Sequence, residues 1–241
     1  DPFDRQITIG FGCFLELMRM AAASERRSFT VTPFPDGEPG SRLDHRPVAH
    51  LAFGAPGTAA PDPLFDHALD RRTNKLPYDT VRPVPAAALA ALGRAAHRPG
   101  WIGTTAVPDR VAALRTLTTE AYAVEIGHPH TLWESLRLMR LGRDEVAANP
   151  DGIALWGPRV EPMIARGEIS RRTLGEIGGP AHGMLFERLS RETMTAMAHL
   201  WIFTPDNRRA TQLAVGADWL RINLAATALG VGLQPNSQAL Q

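Results

Sequence analysis

The chain has 241 residues, and its 26 basic and 25 acidic side chains leave a net charge of +1. With 44% apolar and 21% charged residues it is a globular protein and not a disordered one. The balanced charge excludes a bulk electrostatic pull toward nucleic acid or a membrane surface, and the length suits one large domain or two small ones.

Residues 5 to 23 read as a buried helix, with Phe11, Phe14, Leu15, Met18 and Ala22 on one face. Two strand-like runs follow, Ser28 to Phe34 and Pro47 to Phe53, separated by the turn-forming stretch PDGEPGSR. Gly54 to Pro61 reads as a linker and sets the expected boundary between residues 1–60 and residues 61–241. Asp62 then caps a helix that begins at Pro63 and runs to about Asp70. The stretch 71–79 is an irregular connection, and an Ala-rich helix starts at Pro85 and ends near His97. Val111, Leu114, Leu117, Ala121 and Val124 mark another helix. Thr131 and Glu134 have capping-box spacing, which starts a helix toward Ala148. Residues 149–180, rich in Gly and Pro, suit an adaptable cover over a site more than a core. A helix near 182–197 leads into a strand at 199–204. Asp206 or Asn207 caps the last helix, Arg208 to Leu229, whose apolar residues occupy nearly its whole circumference. An amphipathic surface helix would carry one stripe, so this one is expected to be central. Both ends of the chain thus carry a buried Gly/Ala-bearing helix, as a duplicated module would.

The first candidate site is Arg71-Arg72-Thr73-Asn74-Lys75, which holds the only Lys of the chain. A guanidinium fork matches phosphate geometry, and Thr and Asn hydrogen-bond phosphate or ribityl oxygens. The same arginines also read as caps of a helix C-terminus, and both readings stand at this point. Ile9-Gly10-Phe11-Gly12 is not a dinucleotide-binding turn, because Leu15 occupies the third glycine position; its glycines read as close helix packing. His128-Pro129-His130 lacks a further ligand at metal-site spacing and reads as a loop before a helix. No metal site is expected, and a lone cysteine, Cys13, allows neither an intramolecular disulfide nor a Cys-based zinc site. Trp156 and Met163 are candidates to line a pocket for a flat ligand. No nucleophile signature supports hydrolase chemistry. The longest mostly apolar run, Ile222 to Leu233, falls short of the roughly 20 residues of a membrane-spanning helix.

Three segments taken in order resemble the nitroreductase superfamily, specifically its Acg-like, two-module FMN-binding branch. They are DPFDRQITIGFGCFLELMRMAA, PDPLFDHALDRRTNKLPYDTVRPVP and LAVGADWLRINLAATALGVGLQPNSQALQ. The resemblance implies an α+β fold, a mixed, mainly antiparallel sheet wrapped by helices. It implies residues 1–60 as the tail of a first module and 61–241 as a second module. It also implies FMN as cofactor, with Arg71 and Arg72 toward the phosphate, Thr73 toward phosphate or ribityl oxygens, and Lys75 toward the flavin pyrimidine edge. Asn74 stands at the motif's variable position, and Pro235, Asn236 and Ser237 belong to the stretch that passes over the isoalloxazine. The family's motif in the first module is not present, and Pro99-Gly100-Trp101 stands in the corresponding region of the second.

The implied activity is hydride transfer from NAD(P)H through the flavin to a nitro, quinone or similar acceptor, with no catalytic side chain required. An FMN-sequestering protein without turnover and a cofactor-free structural paralogue are the alternatives. The sequence begins at Asp1, which reads as a start downstream of part of the flavin site. Pairing of modules within one chain or in a homodimer, and a cytoplasmic location or twin-arginine export, all follow from the same resemblance.

Overall fold

The computed structural model describes residues 3–240. In chain order its elements are helix α1 (Arg5–Ser24), strands β1 (Arg27–Pro33) and β2 (Ala49–Pro56), a 3-10 turn (Pro63–His67), α2 (Ala86–Ala95), β3 (Ile102–Thr105), α3 (Pro108–Gly127), α4 (Pro129–Leu138), β4 (Met139–Leu141), α5 (Gly142–Ala148), β5 (Ile153–Leu155), α6 (Glu161–Ala165), α7 (Arg171–Gly175), α8 (Pro180–Met194), β6 (His199–Ile202) and α9 (Arg209–Ala228). The class is α+β, as expected. Among the described residues the strands form three separate pairs: β1–β2 and β3–β6 are antiparallel, and β4–β5 is parallel.

The chain folds into two compact units. The first comprises the described residues up to Lys75, Val81–Val111 and Met197–Pro235. The second comprises Leu76–Thr80, Ala112–Ala196 and the described residues from Asn236. Residues 3–60 therefore share a unit with the segment that follows the expected boundary at 60.

The first unit is built on the crossing of α1 and α9. A Cβ on Gly216 would stand 2.0 Å from the carbonyl oxygen of Ile9, and one on Gly12 would stand 2.1 Å from that of Leu213. Only two glycines let the backbones touch in this way. The Cys13 thiol seals the crossing by donating to the Gly216 carbonyl at 3.2 Å. Helix α9 has the central position that its apolar circumference implies, with Leu213, Leu220, Ile222 and Leu224 buried on different sides. Leu89, Leu92 and Ala96 of the α2 region pack with Ile222, Ala225 and Ala226, joined by Ile102, Leu200 and Ile202 of the β3–β6 pair.

Helix α1 forms where expected but buries the opposite face. Phe14 is 56% exposed and Phe11 38%, while Thr8, Gly12, Glu16, Met20 and Ala23 are buried, together with Ala22 of the expected face. The glycine contact selects a mostly small and polar face, with Met20 its one large apolar member, and Phe11 and Phe14 are left outside. By length and composition α1 could cross a membrane, although no single run in the sequence shows it. In the fold it is a packed helix with a buried, ion-paired Glu16.

The capping of α9 also differs. Its N-cap is Arg208, without a side-chain cap of its own. The Glu38 carboxylate accepts instead from Arg209 N at 2.9 Å and Ala210 N at 3.3 Å. An acidic group at a helix N-terminus is favoured by the orphan amides and the dipole. Asp206 serves Arg208 N and the Thr211 hydroxyl. The linker shortens as well, because Gly54 to Pro56 continue β2, with Pro56 opposite Arg27.

The second unit has a conventional apolar core. Ile126, Leu132, Leu136, Met139, Leu141, Leu155, Ile169, Leu174 and Ala181 form one buried cluster. The expected continuous helix from 131 to 148 is interrupted, because Met139–Leu141 leave the helix to pair with Ile153–Leu155. The capping box at Thr131 does not form. Pro129 starts α4 two residues earlier, so Thr131 lies in its first turn and donates to the carbonyls of Glu125 and His128. His128 is the N-cap of α4, whereas Pro129 and His130 already belong to the helix and not to the expected loop. Within α3 the buried positions are Val111, Thr118 and Ile126, whereas Leu117 and Val124 are exposed.

Residues 149–180 contribute to the core and do not merely overlie it. Leu155, Ile169 and Leu174 place them in the core, and Ser170 and Thr173 close a reciprocal capping box on α7. Met163 packs against that core. Trp156 is 47% exposed, with the Arg143 guanidinium 5.6 Å from its ring.

Candidate functional site

The segment Arg71–Lys75 belongs to the first unit, together with the exit of α9 up to Pro235. Two local devices deliver them to each other. Asp62 Oδ1 accepts from Leu64 N at 3.1 Å and caps the 3-10 turn, as its position before Pro63 leads one to expect. The turn ends at His67, shorter than the expected helix, and Arg71 N donates back to the His67 carbonyl at 3.0 Å. Residues 71–75 then run without regular structure.

At the other side, α9 stops on Gly230, whose φ of +65° is the left-handed conformation glycine adopts at low cost. Val231 N bonds Ala226 O at 2.9 Å and Gly230 N bonds Thr227 O at 3.1 Å, the two bonds of a Schellman stop. Val231 and Leu233 next pack against the α2–α9 core. This fixed exit meets the cationic segment directly: Asn74 N donates to Leu233 O at 2.9 Å.

Each candidate residue has a defined place. Arg71 is half-buried and reaches the Thr73 hydroxyl at 3.5 Å. Arg72 is exposed and folds Nη1 onto the carbonyls of Leu69 and Arg71, at 2.6 and 2.8 Å. Thr73 and Asn74 are half-buried, and Lys75 is exposed. Among the described residues, no carboxylate lies within ion-pair distance of Arg71, Arg72 or Lys75. Among the described residues the three cations of this five-residue segment therefore make no ion pair, although Asp70 adjoins Arg71 in sequence. Pro235 ends the first unit, and Asn236 and Ser237 belong to the second.

Three other carboxylates of the first unit, Glu16, Asp62 and Asp218, are bound to their own partners. Glu16 Oε1 accepts from Arg19 at 2.7 Å, from Arg221 at 3.1 Å, and stands 2.9 Å from His97 Nε2. Burial alone would raise its pKa; the bonds from Arg19 and His97 outweigh this and hold the carboxyl at about 2. Asp62 Oδ2 accepts from Arg221 at 2.6 Å and Arg19 at 3.0 Å, and these guanidinia likewise hold it below the usual carboxylate range against the cost of burial. Asp218, fully buried, accepts from His97 N and Arg98. Of these groups only Asp62 was singled out from the sequence, and as a cap; the pairing partners are up to 205 positions apart.

Cys13 lies close enough to Arg71 to feel its charge, but burial dominates and pushes the thiol up to about 11. It is protonated at neutral pH and serves packing, not nucleophilic chemistry. Among the described residues no group of three or more His, Cys, Asp or Glu side chains is placed to hold a metal ion. No family model, no curated protein and no solved structure matches the chain.

Proposed function

We propose that this chain is an FMN-dependent, nitroreductase-like oxidoreductase, which takes hydride from NAD(P)H and delivers it to a nitro, quinone or similar acceptor. The observation that carries the reading is the unneutralised segment Arg71–Lys75, held against the fixed α9 exit by the Asn74–Leu233 hydrogen bond. These are two of the segments on which the resemblance rests, and they lie far apart in sequence.

The donor set fits a phosphomonoester. Two guanidinia and one ammonium complement a dianion, and a hydroxyl and an amide add uncharged hydrogen bonds. Among the described residues Arg72 bonds through Nη1 alone, so Nε and Nη2 would grip a phosphate oxygen pair. Arg71 and Thr73, already in contact, would share another oxygen. Lys75 would face the electron-rich edge of the flavin and stabilise negative charge there. Bound FMN would supply two-electron hydride chemistry; the chain binds it, orients it and tunes it. Pro235, Asn236 and Ser237 are assigned to the flavin's face by the resemblance alone. The nitroreductase-like sheet and the pairing of modules or of chains belong to the same proposal.

Anaerobic addition of NAD(P)H to FMN-loaded protein tests the activity. Bleaching of the flavin absorbance is expected. A bound flavin that stays oxidised would replace turnover with sequestration, and a protein that takes up no FMN would leave a cofactor-free paralogue.

A further inference from the structure

One side chain joins the cationic segment to the scaffold. Asp62 uses Oδ1 to cap the 3-10 turn at Leu64 N, and Oδ2 to receive Arg221 and Arg19. Arg221 is itself held in three directions, by Asp62, by Glu16 and by the Ala95 carbonyl, to which its Nε donates at 2.7 Å. The turn is thereby tied to α1, to the end of α2 and to α9. Beneath it, Leu64, Phe65 and Ala68 pack against Met20, Leu220 and Leu224. Arg71 follows at once, bonded to the last residue of the turn.

We infer that Asp62 and Arg221 are positioning residues for Arg71–Lys75, fixing the turn so that the three cations meet an anionic phosphate group already arranged. The inference rests on the anion-binding reading above, but its first readout needs no ligand. Glu16 and Asp62 balance Arg19 and Arg221, so the network adds no net charge to the site and its contribution is geometric. Ordering the segment in advance removes a cost that binding would otherwise bear.

Asp62→Asn separates geometry from charge. The amide keeps an oxygen for Leu64 N and loses the ion pairs, while the site becomes more positive by one unit. An electrostatic role predicts tighter phosphate binding; a positioning role predicts weaker binding. Hydrogen exchange on the ligand-free full chain should show faster exchange confined to residues 64–75, the Asn74 amide included, with the α9 core unchanged. FMN affinity should fall about tenfold. Unchanged exchange at 64–75, an equal rise throughout α1 and α9, or FMN binding as tight as or tighter than that of the unaltered protein would overturn the inference. If the unaltered protein binds no FMN, the proposed function falls, and the exchange pattern alone decides for or against positioning. Should Asp62→Asn fail to fold, Arg19→Gln removes the Arg19 bonds to Asp62 and Glu16 from a partly exposed position; because it also removes a positive charge, the exchange pattern at 64–75 alone then decides for or against positioning.

Discussion

The two units stabilise themselves by different means. The second buries a cluster of nine apolar side chains around Leu132, Leu136 and Leu174, and most of its ion pairs, such as Arg166–Glu168, lie at the surface, Glu192 beside Arg188 being the buried exception. The first brings two helix backbones into contact at Gly12 and Gly216 and buries Thr8, Glu16, Arg209, Gln212, Asp218 and Asn223 along the seam. Buried polar groups are tolerated only when they are fully bonded, and a partner removed leaves the other uncompensated. The first unit is therefore the more specific and the more brittle, and it is the unit that carries the cationic segment.

The sharpest way to break the contrast is Arg221→Met, which strips Glu16 and Asp62 of a shared guanidinium. It should cost the first unit about 3–4 kcal/mol, as for other broken buried pairs, and leave the second unit's exchange protection unchanged. The same network predicts the acid response. Because the folded-state pKa of Glu16 is lowered from 4.5 to about 2, its contribution is present above pH 4.5 and is lost as pH falls through that window. The first unit should open there before the second. Glu145 of the second unit is also held at about 2, chiefly by Arg171 and then by Leu141 N, but that pair is exposed and screened.

Leu136→Ala is the counterpart in the second unit. Truncating a fully buried leucine should cost about 3 kcal/mol by transfer and cavity terms, again without effect on the other unit. Gly216→Ala should cost about 2 kcal/mol, the range for overpacking, because the new Cβ meets the Ile9 backbone and not a side chain that can turn aside. Denaturant unfolding followed by hydrogen exchange, unit by unit, checks all three. Loss of both units together in any variant would refute the separation.

What the sequence makes legible is local. Asp62 before Pro63, the turn residues between β1 and β2, and the all-round apolarity of α9 each act on neighbours within a few positions. The errors are long-range. Periodicity places Phe11 and Phe14 of α1 inside, but the side that α9 can approach most closely is the glycine side. The α9 cap comes from Glu38, 171 positions away, which no spacing rule reaches. Residues 149–180 look like a cover because Gly and Pro dominate the count, yet a few buried side chains, Leu155, Ile169 and Leu174, decide their place. For the site, the cations of 71–75 are visible in sequence. That they make no ion pair among the described residues, while Asp62, Glu16 and Asp218 are bound to other partners, is visible only in the fold.

That uncompensated charge is the centre of the account, and a comparison of FMN with riboflavin tests it most directly. The two ligands differ by the phosphate alone. Equilibrium titration by flavin fluorescence should show FMN bound at least about tenfold more tightly than riboflavin, the worth of one charge-assisted contact. In the double variant Arg71→Ala/Arg72→Ala the difference should disappear. Equal affinity for the two flavins, or a preference for FMN that survives the double substitution, would contradict the assignment of this segment as a phosphate grip.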